Sequence, residues 1–423
     1  MRLDELTGRR VVLLGLGADV LAAVPEVLGA EPAEVAVVDD GGSGVPADLL
    51  AQGLTRVDLA EACGTAEVFV RSPGFPRYRP ELSAALERGA RMTTPVDLWW
   101  GTHGAGRTVV GITGTKGKST VTELVGVLAA RAGIRVGVAG NVGVPVFEPG
   151  WDRDAPVVVL EVSSCQAADL HHVPDIAVVT YLAEDHLSWH GGVDRYVADK
   201  LRLVRNEGGI AARILVPSSG GRVDEVLAGM GVAAEVVAPP AGPASVPTHR
   251  LQNAALAAAV VAALGAPPLS DAEVIEAARS SLPGRLDACP GPDGLLCLDD
   301  ALASNPSAVA AGLAWVRTLG RPTVVLLGGS DRGVDPGPLA EEVARWAPGK
   351  LTAVVLPDSG ADLAARIGVH VVAVASDVAA AVSAALVASE VDGVVLFSPG
   401  APTPAAVGTW RTRSDQFRSA LLS

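Results

Sequence analysis

The stretch GITGTKGKST, residues 111–120, has the residue types of a phosphate-binding loop. An apolar, β-branched segment precedes it, and the small and apolar residues 121–130 predict a helix after it. In such a turn the backbone N–H groups face the phosphates, Lys118 reaches the β- and γ-phosphates, and the Ser119 hydroxyl faces Mg²⁺. The strict pattern G-x-x-x-x-G-K-[ST] has glycine where this chain has Ile112. A structural glycine turn is therefore the alternative to a nucleotide site.

Two candidate metal-binding groups follow apolar segments. Glu161 ends a wholly apolar run, and a carboxylate in that position needs a partner. Mg²⁺ shared with Ser119, in the manner of a Walker-B acid, is one partner, and a salt bridge is the alternative. Glu184-Asp185-His186 follows another run, so His186 is either a ligand of a second divalent ion or a hydrogen-bonded turn histidine. His190, in Trp-His-Gly-Gly, carries a weaker signal.

Lysine is scarce in this chain. Of 33 lysines and arginines, four are lysine: Lys116, Lys118, Lys200 and Lys350. A lysine kept in an arginine-rich chain is a candidate for chemistry that a guanidinium cannot perform, such as losing its proton. Two of the four lie in the glycine-rich loop, which draws attention to Lys200 in the helical pattern Tyr-Val-Ala-Asp-Lys-Leu. The alternative is an exposed helix lysine.

Alternating strand and helix patterns predict an α/β fold along the whole chain. We expect three domains: residues 1–103, Rossmann-like; residues 104–283, a mostly parallel sheet headed by the glycine-rich loop; and residues 284–423, again Rossmann-like. The first contains Gly15-Leu-Gly17 after a strand but lacks the third glycine of G-x-G-x-x-G. That turn is therefore either a ligand-binding turn or an ordinary strand-to-helix turn.

Composition limits the function classes. Of 423 residues 49% are hydrophobic, which permits sizeable cores, and the net charge of −14 argues against nucleic acid and anionic membrane surfaces as partners. The four cysteines have no metal or disulfide spacing, and acids occupy the first residues where a signal peptide would be apolar. The longest apolar run, residues 254–264, is too short to span a bilayer. We therefore expect a cytoplasmic protein without membrane insertion.

With the loop, Leu-Glu161-Val-Ser-Ser-x-Gln, Glu-Asp-His186 and Tyr-x-x-x-Lys200-Leu in this order, the chain resembles the Mur ligase family along its whole length. The resemblance implies an ATP-dependent amide-bond ligase of peptidoglycan precursor synthesis. Its domains would bind a UDP-sugar, ATP and an amino acid, in chain order. It implies UDP-N-acetylmuramoyl-L-alanine, glutamate and ATP as substrates, with Mg²⁺ at two sites.

The resemblance also implies roles for individual residues. The catalytic residues would be Lys118, Glu161, His186 and Lys200. The metal ligands would be Ser119, Glu161, His186 and Lys200, the last as a carbamate. ATP would contact Gly114, Thr115, Lys116, Gly117, Lys118, Ser119, Thr120, Asn253, Arg285 and Asp300. The UDP-linked substrate would contact Ala18, Asp19, Asp39, Asn141, Ser163 and Gln166, and glutamate would contact Arg332, Thr403 and Trp410.

Several positions depart from the family pattern. Lys116 replaces an asparagine, Arg250 replaces the asparagine of a His-Asn pair, Leu302 replaces a lysine and Arg332 replaces the glutamate-binding lysine. With Arg-Ser-Pro-Gly from Arg71 and the Trp-His-Gly-Gly motif, these features are similar to a subgroup that adds L-glutamate and works beside a separate epimerase. The alternatives are a D-glutamate ligase and a catalytically silent nucleotide-binding paralogue. A folylpolyglutamate-type ligase fits less well because the first domain has the pattern of a nucleotide-sugar binder.

Overall fold

Three β-sheets with helices packed on them make up the protein, described here from a computed structural model. The structure describes residues 1–39, 45–141, 144–243, 246–279, 284–292, 294–330, 334–404 and 406–422. The chain divides into two compact units, one of Met1–Gly242 with Thr248–Ala278 and one of Pro243–Pro247 with Arg279–Ser423. No helix within the described ranges is both long and apolar enough to cross a bilayer.

The first sheet is parallel throughout and lies in the first unit. Its strand order is β3-β2-β1-β4-β5, so β1 lies between β2 and β4 at a switch in strand order. The strands are β1 (Arg10–Leu14), β2 (Glu34–Val38), β3 (Thr55–Arg56), β4 (Val68–Arg71) and β5 (Arg91–Thr93). The helices are α1 (Ala18–Gly29), α2 (Ala47–Ala51), α3 (Leu59–Thr65), α4 (Pro80–Glu87) and α5 (Pro95–His103), preceded by a 3₁₀ turn at Leu3–Leu6.

The second sheet, also in the first unit, carries the glycine-rich loop. Its order is β13-β12-β9-β6-β8-β7, and every pairing in it is parallel. The strands of this part of the chain are β6 (Thr108–Thr113), β7 (Val136–Gly140), β8 (Val157–Glu161), β9 (Ile176–Val179), β10 (Arg205–Asn206), β11 (Gly209–Ile210), β12 (Arg213–Pro217) and β13 (Glu235–Val237), of which β10 and β11 form a separate hairpin. The helices are α6 (Lys118–Arg131), α7 (Ser164–Ala167), α8 (Leu187–His190), α9 (Val193–Leu201), α10 (Val223–Gly229), α11 (Thr248–Ala263) and α12 (Asp271–Arg279).

The third sheet forms the second unit. Its order is β14-β15-β19-β16-β17-β18, and β14 is antiparallel to β15 while the other pairings are parallel. The strands are β14 (Asp287–Cys289), β15 (Leu296–Asp299), β16 (Thr323–Leu327), β17 (Leu351–Val355), β18 (His370–Val374) and β19 (Val394–Phe397). The helices are α13 (Pro306–Thr318), α14 (Gly337–Val343), α15 (Gly360–Ile367), α16 (Val378–Ala388) and α17 (Trp410–Leu421).

Burial explains why the central strands are so apolar. Every residue of β16 and β19 is buried, as is all of β6 after its first residue, because helices cover both faces of a parallel sheet. The sheets of the first unit also share a core: Leu13 and Val70 of the first sheet belong to the same apolar cluster as Val109 and Leu160 of the second. Because β9, β6 and β8 are neighbours in the second sheet, their carboxyl ends lie side by side, where an open α/β sheet binds its ligands.

Candidate active site

The glycine-rich loop joins β6 to α6. Gly114 has φ 144° and Gly117, which precedes the helix, has φ 88°, both in the region that favours glycine. A Cβ at Gly114 would lie 2.0 Å from Thr180 Oγ1, and one at Gly117 would lie 2.7 Å from Asn253 Oδ1. The loop is thus a close-packed cradle at the N-terminus of a 14-residue helix, which suits phosphate binding, and Asn253 of α11 lies against it.

Three of the four lysines meet at this loop. Lys118 Nζ and Lys200 Nζ each donate to the Gly114 carbonyl oxygen at 2.9 Å. Lys200 is 2% exposed, and burial, with the charge of Lys118, holds its pKa well below the usual lysine value. Lys116 Nζ lies 3.5 Å from Asp185 Oδ2, and burial lowers its pKa too. The alternative that Lys200 is an exposed helix lysine is therefore wrong.

Glu161, at the end of β8, is 1% exposed. Its Oε1 accepts a hydrogen bond from Asn141 Nδ2 at 2.9 Å, whereas its buried Oε2 has no hydrogen-bond partner among the described residues. No ion pair of Glu161 is found within the described ranges either, so the salt-bridge alternative lacks a cation there. A buried carboxylate oxygen without a donor is suited to a divalent cation, so Glu161 fits the implied Mg²⁺.

The other proposed metal ligands are less closely gathered. His186 precedes α8 in a left-handed conformation, φ 51°; its side chain is 46% exposed, with Nε2 3.9 Å from Asp185 Oδ1. Ser119 is half-buried in the first turn of α6. The described parts of the chain contain no group of three His, Cys, Asp or Glu side chains close enough to hold a metal ion. The ligand set therefore stays a prediction.

Three residues predicted to bind the UDP-linked substrate, Ser163, Gln166 and Asp19, are joined by hydrogen bonds in the first unit. Ser163 caps α7: its Oγ accepts from Gln166 N at 3.2 Å, and Gln166 Oε1 accepts from Ser163 N at 2.9 Å. Gln166 Nε2 donates to Asp19 Oδ2 at 2.8 Å, and burial raises the pKa of Asp19. Ala18 begins α1 beside Asp19, and Asp39 follows β2. Helix α7 thus connects the first sheet's switch point to the second sheet.

Three predicted residues of the second unit, Arg285, Asp300 and Trp410, lie around the segment of residues 284–286. Asp300 is buried and accepts from Ser398 Oγ at 2.8 Å and from Leu286 N at 3.2 Å, and burial raises its pKa to about 7. Arg285 is adjacent to Leu286, and its positive charge lowers the pKa of Asp300, against the larger effect of burial. Trp410 packs against Gly284, where a Cβ would lie 2.8 Å from Trp410 Cζ3.

A small cleft lies at the carboxyl ends of β16 and β19, and Ser330 and Gly400 are among the residues that line it. Thr403 and Trp410 are not among its lining residues, although Thr403 follows Pro402, whose carbonyl accepts from Ser330 N at 2.9 Å. Arg332 lies outside the described residues.

Sequence reasoning missed two buried polar clusters of the first unit. Arg71 is fully buried and donates to Asp169 at 2.8 Å, and the carboxylate of Asp97 accepts from the Met1 amine at 3.0 Å and contacts His171 and His172. Local patterns do not reveal pairs about 100 positions apart. A third buried cluster surrounds His190.

Parts of this chain match two protein-family models, and its whole length is similar to curated proteins. Residues 112–216 match the model of the Mur ligase middle domain, and residues 284–400 match that of the Mur ligase, glutamate ligase domain. A UDP-N-acetylmuramoyl-L-alanine–L-glutamate ligase from Micromonospora sp. is 35% identical over all of this chain and 98% of its own length. The chain belongs to the Mur ligase family. Mur ligases are ATP-dependent ligases that form amide bonds.

A second curated relative and one solved structure are also similar to this chain over nearly its whole length. A protein of the same name from Xanthomonas axonopodis pv. citri is 33% identical over 99% of this chain and 96% of its own length. The crystal structure of MurF ligase from Thermotoga maritima in complex with ADP aligns over 100% of this chain and 97% of its own, with a TM-score of 0.57 and 14% identity. This last likeness concerns the fold alone, which is that of a three-domain Mur ligase.

Proposed function

We propose that this Mur ligase joins glutamate, with L-glutamate favoured, to the alanyl carboxylate of UDP-N-acetylmuramoyl-L-alanine at the expense of ATP, in peptidoglycan precursor synthesis. The relatives from Micromonospora and Xanthomonas, matched over nearly their full lengths, carry that name. The observation in this chain that carries the proposal is the meeting of Lys118 and Lys200 at Gly114, in a glycine cradle on the same sheet as Glu161.

The reaction has two steps. An oxygen of the alanyl carboxylate attacks the γ-phosphorus of ATP, the bond to ADP breaks and an acyl phosphate forms. The glutamate amine then attacks the acyl carbon, loses its proton, and inorganic phosphate leaves as the amide forms. Charge on phosphate oxygens grows in the first step, so Lys118 at the N-terminus of α6 would stabilise its transition state electrostatically.

Other residues of the proposed site would bind the metal ions and ATP. Ser119, Glu161, His186 and a carbamate on Lys200 would hold Mg²⁺ at two sites, and the bound ions would neutralise phosphate charge. The low pKa of Lys200 supports the carbamate, because a neutral amine is the form that reacts with CO₂. The ATP contacts would be residues 114–120 with Asn253, Arg285 and Asp300.

The substrate contacts would be divided among the three predicted domains. Residues 1–103 would bind the UDP-sugar through Ala18, Asp19 and Asp39, and residues 104–283 would hold the muramoyl-alanine arm through Asn141, Ser163 and Gln166. Residues 284–423 would bind glutamate through Arg332, Thr403 and Trp410. A planar guanidinium at position 332 offers a carboxylate two parallel hydrogen bonds where a lysine offers a point charge, which supports a different placement of the amino acid. A separate epimerase would then act on the product.

The test is incorporation of each glutamate enantiomer at equal concentration, with ATP and UDP-N-acetylmuramoyl-L-alanine, alongside phosphate release. We expect preferential incorporation of L-glutamate and no turnover by Lys118→Ala, which removes the main cationic contact of the transferred phosphoryl group. Preference for D-glutamate would refute the stereochemistry and leave the ligase assignment in place. Absence of phosphate release with both enantiomers would indicate the catalytically silent paralogue instead.

A further inference from the structure

A buried chain of hydrogen bonds runs through His190. Its Nδ1 lies 2.6 Å from Asp199 Oδ2 and its Nε2 lies 3.0 Å from Ser164 Oγ, so both ring nitrogens are bonded. Because a carboxylate only accepts, Nδ1 donates to Asp199. The Tyr78 hydroxyl donates to the same carboxylate at 2.6 Å. Ser164, His190 and Asp199 are 2%, 0% and 6% exposed.

The Trp-His-Gly-Gly motif builds this contact. His190 ends α8, and Gly191 and Gly192 follow with φ of 75° and 146°, which turns the chain into α9. The turn returns Asp199, nine residues on, to the imidazole of His190. The ring is also held by Trp189 and Tyr196, with centroids 4.4 Å and 5.2 Å away.

The hydrogen bonds connect Ser164, His190 and Asp199 in the order of a Ser-His-Asp triad, but a substrate cannot reach Ser164. A nucleophilic serine must reach a substrate, and the Ser164 side chain is enclosed within the protein. The network therefore acts on the positions of neighbouring residues and not on bonds of a substrate.

Those neighbours belong to two parts of the proposed site. Ser164 is in α7, with Gln166, whose side chain bonds to Asp19, and with Ser163 as its cap. Asp199 is in α9, where the next residue, Lys200, donates to the Gly114 carbonyl of the phosphate loop. The His190 ring thus links α7, which is proposed to hold the acceptor, to α9, which carries the buried lysine.

We propose that His190 is a positioning residue that fixes α7 and α9 relative to each other, so that Gln166 and Lys200 are placed for the same acceptor. This inference rests on the proposed ligase function and adds to it a residue that touches neither substrate nor phosphate. Loss of the Ser164 bond should weaken acceptor binding, and loss of the Asp199 bond should disturb Lys200.

Two substitutions separate the two bonds. The amide of His190→Asn falls near Nδ1 and keeps the donor to Asp199, whereas that of His190→Gln falls near Nε2 and keeps the partner of Ser164. Ser164→Ala removes the hydroxyl alone, and His370→Asn, an exposed histidine of β18 in the second unit, is the matched control. Each variant of the full chain is assayed for kcat, for KM of the acceptor and of ATP, for thermal stability, and for the carbamate signal in ¹³C NMR with labelled bicarbonate.

We expect Ser164→Ala and His190→Asn to raise the acceptor KM by roughly tenfold, the effect of one lost buried hydrogen bond, while the ATP KM stays within about twofold. His190→Gln should lower kcat and the carbamate signal by a similar factor, roughly tenfold. The double variant Ser164→Ala/His190→Asn should have the acceptor KM of His190→Asn alone, since both remove the same bond. His370→Asn should match the wild type.

A purely structural histidine gives a different result. Its loss would lower the melting temperature and the active fraction while both KM values and the carbamate signal per folded molecule stay at wild-type levels, and that outcome would overturn the proposal. Additive effects in the double variant would overturn it as well. A wild-type protein that incorporates neither glutamate enantiomer would instead refute the ligase function, so the two failures are distinguishable.

Discussion

At the scale of single residues, the structure shows where this lysine-poor chain places its lysines. Lys116, Lys118 and Lys200 lie at one loop, although Lys200 is more than 80 positions from the carbonyl of Gly114 that it shares with Lys118. A buried ammonium beside a second cation is unfavourable unless it loses its proton or acquires a partner. An arginine cannot lose its proton, which accounts for a lysine at position 200 in a chain that has four lysines among its 33 lysines and arginines.

We predict that Lys200 acts as a carbamate. Lys200→Ala should be nearly inactive in phosphate release and partly rescued by short carboxylates such as acetate or formate, which supply the missing anionic oxygens. Lys200→Arg should be inactive. Lys200→Met should also be inactive but fold as stably as the wild type, because it removes a buried charge without removing packing volume.

Lys350→Met, a change at the exposed fourth lysine, is the matched control and should leave activity unchanged. Normal turnover by Lys200→Arg would show that a permanent cation suffices and would contradict the carbamate. Rescue that is equal for acetate and chloride would point to an ionic-strength effect and contradict it too.

Sequence reasoning selected candidate site residues where composition or a short motif pointed to them, and their roles stay predictions. The loop and Glu161 were found from spacing and strand ends, and Lys200 from its rarity. The approach of Asn253 to Gly117, by contrast, depends on how α11 packs on α6, and only family resemblance indicated it. The His190 bridge was missed because its partners, Ser164 and Asp199, look like ordinary helix residues until the helices are in place.

At the scale of elements, the loop between β6 and α6 is constrained by its glycines. The Gly114 backbone approaches Thr180 so closely that a single added carbon would overlap its hydroxyl, and a Cβ would also lie 3.0 Å from Tyr181 N. Both neighbours belong to the segment after β9, so the loop is shaped by the adjacent strand. Long apolar strands such as β6 and β16 were predictable from their residues, whereas the two-residue strands β10 and β11 have no periodicity to detect.

We predict that Gly114→Ala separates ATP binding from folding. The new methyl group must displace either Thr180 or the loop, and φ 144° is strained for alanine, so ATP affinity should fall by roughly a hundredfold or more, about 3 kcal/mol of lost contacts and strain. Isothermal titration with ATP measures the affinity, and circular dichroism checks the fold.

Gly64→Ala in α3 is the matched control, because a Cβ there meets nothing within 4 Å and its φ is ordinary. It should bind ATP like the wild type and be slightly more stable, by about 0.5 kcal/mol, as expected for alanine in a helix. Undiminished ATP binding by Gly114→Ala would mean that the cradle is not the phosphate site.

At the scale of the whole molecule, sequence patterns predict three sheets but not how they associate. The first two sheets share one apolar cluster, in which Leu13 and Val70 join Val109 and Leu160, and so they form a single compact unit. Such packing is between residues about 100 positions apart and leaves no local signal. The boundaries proposed at residues 103 and 283 therefore remain assignments of function along the chain, while the third sheet forms a unit of its own.

We predict that the stability of the second unit falls as the pH rises from about 4 to 7. The pKa of Asp300 is raised from 3.8 to about 7 by burial, so the folded unit holds a proton that the unfolded chain has released. The stabilisation is complete below pH 4 and is lost as the pH passes the folded pKa, with a maximum of about 4 kcal/mol.

Urea unfolding of the full chain at pH 5 to 8, followed by hydrogen exchange in β15 and β19, measures this loss of stability. Asp300→Asn, which has no proton to lose, should abolish this dependence and exceed the wild type in stability at pH 8. A wild-type unit whose stability rises over this range would mean that Asp300 is ionised where it lies, held by Ser398 and the charge of Arg285.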